Sequence, residues 1–165
     1  MASRLGVTGF PLVGWGIALI VGLTAIDLLT GVPRVVVAVV AWLIGIVLSW
    51  LPLRVLIRTG TEGRVRLAWA AVLIASPFLV SAAHPQSAVH MVLLLAGLWG
   101  LAMCLYAIAT HDWVFATVAA LGVITAGLVA IPGNVPHPLM IIGVVNGVSL
   151  LTLGIYRVQY GLRHV

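Results

Sequence analysis

Between Phe10 and Leu29 the chain runs twenty residues with a single charged side chain, Asp27. Coiled into a helix, a stretch of that length reaches across the roughly 30 Å hydrocarbon core of a bilayer. Five more apolar runs follow, at about residues 35–57, 67–83, 87–110, 113–131 and 139–156. A soluble domain carries roughly 25% charged residues, whereas here the figure is 7%, against 63% hydrophobic. Too few polar side chains exist to coat a water-facing surface. The expectation is an all-α, polytopic integral membrane protein, with six transmembrane helices arranged as three hairpins in one bundle. The first run exceeds the ~7–15 residues of a signal-peptide core, and no small-x-small cleavage site follows it, so it reads as the first spanning helix.

The breaks between runs are rich in Gly and Pro, the strongest interrupters of regular structure. They are Thr30-Gly31-Val32-Pro33-Arg34, then Thr59-Gly60-Thr61-Glu62-Gly63, His84-Pro85, His111-Asp112, and the seven residues from Pro132 to Pro138 with their three prolines. Pro52 and Pro77 fall inside runs, where each removes a backbone hydrogen bond and favours a kink.

Charge sets the expected orientation. All eight basic residues are arginine, and Arg54, Arg58, Arg64 and Arg66 crowd into one loop, LRVLIRTGTEGRVRL at residues 53–67. Cytoplasmic loops collect such residues, and anionic headgroups lie beside them. With this loop inside, six spans put both termini in the cytoplasm. Arg4, the four loop arginines, Arg157 and Arg163 then face inward and only Arg34 faces outward, seven against one. The four loop arginines are the expected contacts to anionic lipid. Trp15, Trp50, Trp69, Trp113, Tyr156 and Tyr160 would mark the inner headgroup level, with Trp42 and Trp99 deeper. A pI near 10.8 does not point to nucleic acid, because the basic groups flank apolar runs. The lysine-free, Ala/Val/Gly/Arg-rich usage suggests a bacterial cytoplasmic membrane.

Small residues mark expected packing seams: Gly143 and Gly147 in the sixth run, Ala96 and Gly100 in the fourth, Gly45 and Ser49 in the second. They read as contacts within the bundle, with a homo-oligomer or larger membrane complex left open. A five-position match between Trp15–Leu19 and Trp99–Met103 begins at different depths and runs in opposite senses, so it is not taken as a duplication. Three helical hairpins in 165 residues, each first helix ending in a Pro-bearing turn, resemble the HdeD acid-resistance family of small bacterial membrane proteins. The nearest stretch is Trp113–Tyr156, where Gly122, Gly127, Pro132, Gly143, Gly147 and Gly154 follow that family's Gly…Gly…Pro…Gly hairpin style. The resemblance implies a non-enzymatic stress or acid-response protein and brings no active-site residues with it.

The residues themselves agree that catalysis is not the expectation. HExxH, phosphate-loop and G-x-S-x-G motifs are absent, the carboxylates are only Asp27, Glu62 and Asp112, and Cys104 is a lone cysteine. No cofactor or metal is expected. An ionisable residue inside a membrane helix is a functional candidate by default, which singles out Asp27, although it also lies close enough to the helix end to reach the interface or Arg34. Asn146, near the centre of its run, is expected to hydrogen-bond a neighbouring helix or to line a path. His84, His90 and His137 fall on the expected outer side. Imidazole changes charge between about pH 5 and 8, so this group with Asp27, Arg34 and Asn146 is the candidate ligand-binding or pH-sensing set. The competing function class is a small six-helix substrate-binding or channel-like subunit of a transporter.

Overall fold

The computed structural model describes the backbone of residues 2–56, 71–72, 74–76, 78–132 and 134–163, and their side chains apart from 2–8, 49–56 and 162–163. The chain is an all-α polytopic membrane protein. Five helices are α1 (Ala2–Leu28), α2 (Gly31–Leu56), α4 (Ala88–Ala109), α5 (Trp113–Ala130) and α6 (Pro138–Arg163). Between α2 and α4 lies α3, helical at residues 71–72, 74–76 and 78–82. The five long helices are each apolar and long enough to cross a membrane. Arg58, Arg64 and Arg66, with Glu62 and Trp69, lie outside the described residues, and Arg4, Trp50, Arg54 and Arg163 are described only as helical backbone.

Helix boundaries follow local chemistry. α1 starts eight residues before Phe10 and carries Pro11 inside it, which deprives the Val7 carbonyl of its usual donor. The five-residue break at Thr30–Arg34 shrinks to Leu29 and Thr30. Gly31 takes the left-handed conformation, φ +64°, open to a residue without Cβ. Pro33 then falls in the first turn of α2, where a missing N–H costs nothing. α6 runs on through Tyr156 to Arg163, so Arg157 belongs to the helix and not to a tail. Its side chain is only 8% exposed.

The chain divides into two compact units, Met1–Ile57 with Leu139–Val165, and Arg58–Pro138. In the first, α1 is packed between α2 and α6. Its α6 side is a backbone-to-backbone seam. A Cβ on Gly9 would lie 2.6 Å from the Gly154 carbonyl oxygen, and one on Gly154 would lie 2.9 Å from that of Gly9. Gly16 and Gly147 repeat the arrangement at 2.8 and 2.7 Å. Gly143 meets the Leu19 carbonyl at 2.6 Å. These pairs run in opposite order along the two helices, so α1 and α6 are antiparallel. Without a hydrophobic drive between helices in lipid, such close approach supplies dispersion contacts and Cα–H···O interactions instead. The Gly143–Gly147 seam is therefore internal packing. On the other side of α1, Gly45 of α2 lies against Ala18 and Trp15, and Gly14 lies against Leu48. The Trp15 and Trp42 rings meet edge to face, with centroids 5.3 Å apart.

The second unit is held by side chains. Trp99 Nε1 donates to Ser76 Oγ at 3.0 Å, and that fully buried hydroxyl donates to the Val72 carbonyl. Gly100 of α4 lies against Val123 and the Ala119 carbonyl of α5. Ser87 caps α4 by accepting the His90 N–H at 3.1 Å, and Asp112 caps α5 by accepting that of Phe115 at 3.1 Å. Both are favoured N-cap residues. α4 ends with Asp112 N–H on the Ala107 carbonyl and His111 N–H on that of Ile108. This is a Schellman-type stop, with His111 in the left-handed position at φ +57°.

Candidate functional site

The two candidate charges of the first unit act on helix ends. α6 opens with His137-Pro138, so no Ser, Thr, Asp or Asn stands at its own cap position. The carboxylate comes from another helix: Asp27 Oδ2 accepts the Met140 N–H at 2.9 Å. Met140 is the third residue of α6, one of the four N–H groups that a helix start leaves without an internal partner. The negative charge also sits at the positive end of the α6 dipole. Arg34 does the reverse for α1. Its Nε donates to the Leu29 carbonyl at 2.6 Å, placing a cation beside the negative end of that helix. Asp27 and Arg34 share one end of the unit, each supporting a helix other than its own.

Asn146 is not part of that group. It lies six residues beyond Met140 on α6, roughly 9 Å further along the axis. Its Oδ1 is buried and has no hydrogen-bond partner among the described residues, and Thr24 Oγ1 on α1 is in the same condition. The expectation that Asn146 is satisfied by a neighbouring helix is therefore not met at this oxygen. A buried polar atom without a partner costs on the order of 1–3 kcal/mol, so these two oxygens are polar points in otherwise apolar packing.

The three candidate histidines belong to the second unit. His84 and His137 are exposed and His90 is half-buried. His84 and His137 take left-handed conformations, φ +46° and +50°, each directly before a proline. Proline disfavours helical conformations in the residue that precedes it, and histidine is one of the few non-glycine residues enriched in the left-handed region. His84 follows the end of α3, its N–H donating to the Ser81 carbonyl at 3.1 Å. His90 is the third residue of α4, and His137 immediately precedes α6. One imidazole thus stands at a helix carboxyl end and two at helix amino ends. His84 also lines a cleft with Val80, Ser81, Pro85, Met91 and Leu95.

Among the described residues, no three His, Cys, Asp or Glu side chains gather closely enough to hold a metal ion. Cys104 Sγ lies 3.9 Å from the Ala116 carbonyl in the α4–α5 packing. Sequence reasoning missed Gly9 and Gly16 and the packing role of Gly154, although a signal existed: Gly9 and Gly16, and again Gly147, Gly154 and Gly161, recur at intervals of seven. It also missed the capping role of Asp27, for which a partner 113 positions away leaves no local trace. Compared with known proteins, the chain matches no family model, no curated sequence and no solved structure.

Proposed function

We propose that this is a non-enzymatic protein of the bacterial cytoplasmic membrane, with both termini cytoplasmic and outer turns that respond to acid. The reading agrees with the resemblance to the HdeD acid-resistance family. The observation that carries it is the placement of His90 at the amino end of α4. A positive charge there opposes the helix dipole, by about 0.3–1 kcal/mol per site. At the carboxyl end of α3, a charge on His84 is favourable by a similar amount. Acidification from about pH 7 to pH 5 adds charge to imidazole. The sign follows from position: protonation loosens the first turn of α4 and tightens the last turn of α3.

Amide hydrogen exchange, corrected for its intrinsic pH dependence, tests this. In the native protein the first turn of α4 should lose protection between about pH 7 and pH 5. His90→Gln should abolish the loss. Equal loss with and without the imidazoles, together with unchanged survival of cells at acid pH, would end the reading.

One observation favours a second reading, a small substrate-binding or channel-like transporter subunit. The buried oxygens of Thr24 and Asn146 offer acceptors within the span. Mass spectrometry of the purified protein should then reveal a small polar molecule that Asn146→Leu fails to retain.

A further inference from the structure

The α3–α4 hairpin forms a cleft of about 570 Å³, lined by Val80, Ser81, His84, Pro85, Met91 and Leu95. All six residues belong to the 58–138 unit. The lining is graded. Ser81, His84 and Pro85 stand at the turn, while Val80, Met91 and Leu95 form an apolar floor. Leu95 lies eight residues along α4 from the Ser87 cap, roughly 12 Å below the turn. Since α4 is long and apolar enough to cross a membrane, the mouth of the cleft comes where bilayer meets water and the floor lies among acyl chains. The volume falls within the range of small-molecule sites, about 300–1,000 Å³.

The rim is suited to an anion. No Asp or Glu occurs between Glu62 and Asp112. The turn brings Ser81, with its hydroxyl, and His84, whose ring donates an N–H in either protonation state. A free anion has no use for the apolar floor, and a neutral apolar molecule has no use for this rim.

We propose that the cleft is a binding site for one membrane phospholipid with an anionic headgroup. An acyl chain lies along Val80, Met91 and Leu95, and the phosphate meets Ser81 and His84. The site stands on the shape and lining of the cleft and does not rest on the acid-response reading.

The test uses the full chain in detergent, with phosphatidylglycerol as probe and native mass spectrometry as readout, at one pH of about 6. The native protein should retain phosphatidylglycerol at least about tenfold better than diacylglycerol of the same chains, a difference of roughly 1.4 kcal/mol. Leu95→Trp, which fills the floor, should lower retention by about tenfold or more. His84→Gly, which removes the ring while suiting the left-handed backbone, should bring phosphatidylglycerol down toward diacylglycerol. Met91→Phe serves as the floor variant if Leu95→Trp does not fold. Equal retention by native and floor-filled proteins, equal retention of the two lipids by the native protein, or displacement by millimolar inorganic phosphate would each overturn the proposal.

Discussion

The two units solve the same problem by different means. In the first, α1 and α6 touch backbone to backbone at Gly9·Gly154 and Gly16·Gly147, and the polar groups at one end, Asp27 and Arg34, serve neighbouring helices. In the second, helices meet through an indole–hydroxyl bond, and each N-cap serves its own helix. A Cβ added to Gly97 or Gly127 of this unit would meet no neighbour within 4 Å among the described residues. Glycine content therefore does not measure packing. What matters is whether the missing Cβ is where another backbone passes.

The largest effect expected from this contrast is at Gly147. A side chain there meets Ile20 and the Gly16 carbonyl oxygen, the latter 2.7 Å from the Cβ position. A carbonyl on a helix cannot swing aside as a flexible side chain can. Gly147→Leu should cost about 3 kcal/mol or more, a fall of roughly 6–12 °C in thermal midpoint in detergent. Gly97→Leu should shift the midpoint far less. Equal shifts would erase the distinction between the two units.

Next in size is the cap that joins α1 to α6. Asp27→Leu leaves the Met140 N–H without its carboxylate acceptor, at a cost of about 1.5–3 kcal/mol for a bond to a charged group. Asp27→Asn keeps an acceptor oxygen and should recover part of that stability. Protection of the Met140 amide against exchange reports the bond directly. If Asp27→Leu leaves that protection unchanged, the cap is not what holds the start of α6.

These two sites show what the sequence could and could not disclose. The five long helices were legible because their runs are long and apolar enough to cross a bilayer, and length with polarity decides that almost alone. Gly143 and Gly147 were legible as a seam from their spacing. Their partner was not, since four-residue spacing says nothing about which helix passes by. Asp27 was visible as costly, yet its role depends on where α6 begins, a tertiary fact. Asp112 read as part of a polar turn because it and His111 alone interrupt the apolar run from α4 to α5. The Schellman-type stop and the N-cap are what make so short a break sufficient.

A smaller effect is expected in the second unit from Trp99→Phe. The change removes the donor to Ser76 Oγ but leaves that hydroxyl bonded to Val72. Only one of two bonds is lost, so the cost should be about 1 kcal/mol. Paired with Ser76→Ala in a double-mutant cycle, the two changes should be less than additive, because they remove the same bond. Strict additivity would mean that the indole is held by shape alone.

The smallest effect is the one most sensitive to the surroundings of the second unit. Gly127 sits inside α5, where a glycine costs roughly 0.5–1 kcal/mol relative to alanine through backbone freedom in the unfolded chain. No atom lies within 4 Å of its Cβ position among the described residues, so the added methyl displaces nothing. Gly127→Ala should raise the thermal midpoint by about 1–4 °C, whereas Gly16→Ala, facing a carbonyl at 2.8 Å, should lower it. The pair shares one chemical change and differs only in what passes nearby. If Gly127→Ala is neutral in detergent but destabilising in a bilayer, the open face of α5 is occupied there by something closer than fluid lipid. A chemical cross-link placed at Leu128, an exposed neighbour on the same helix, would then capture it.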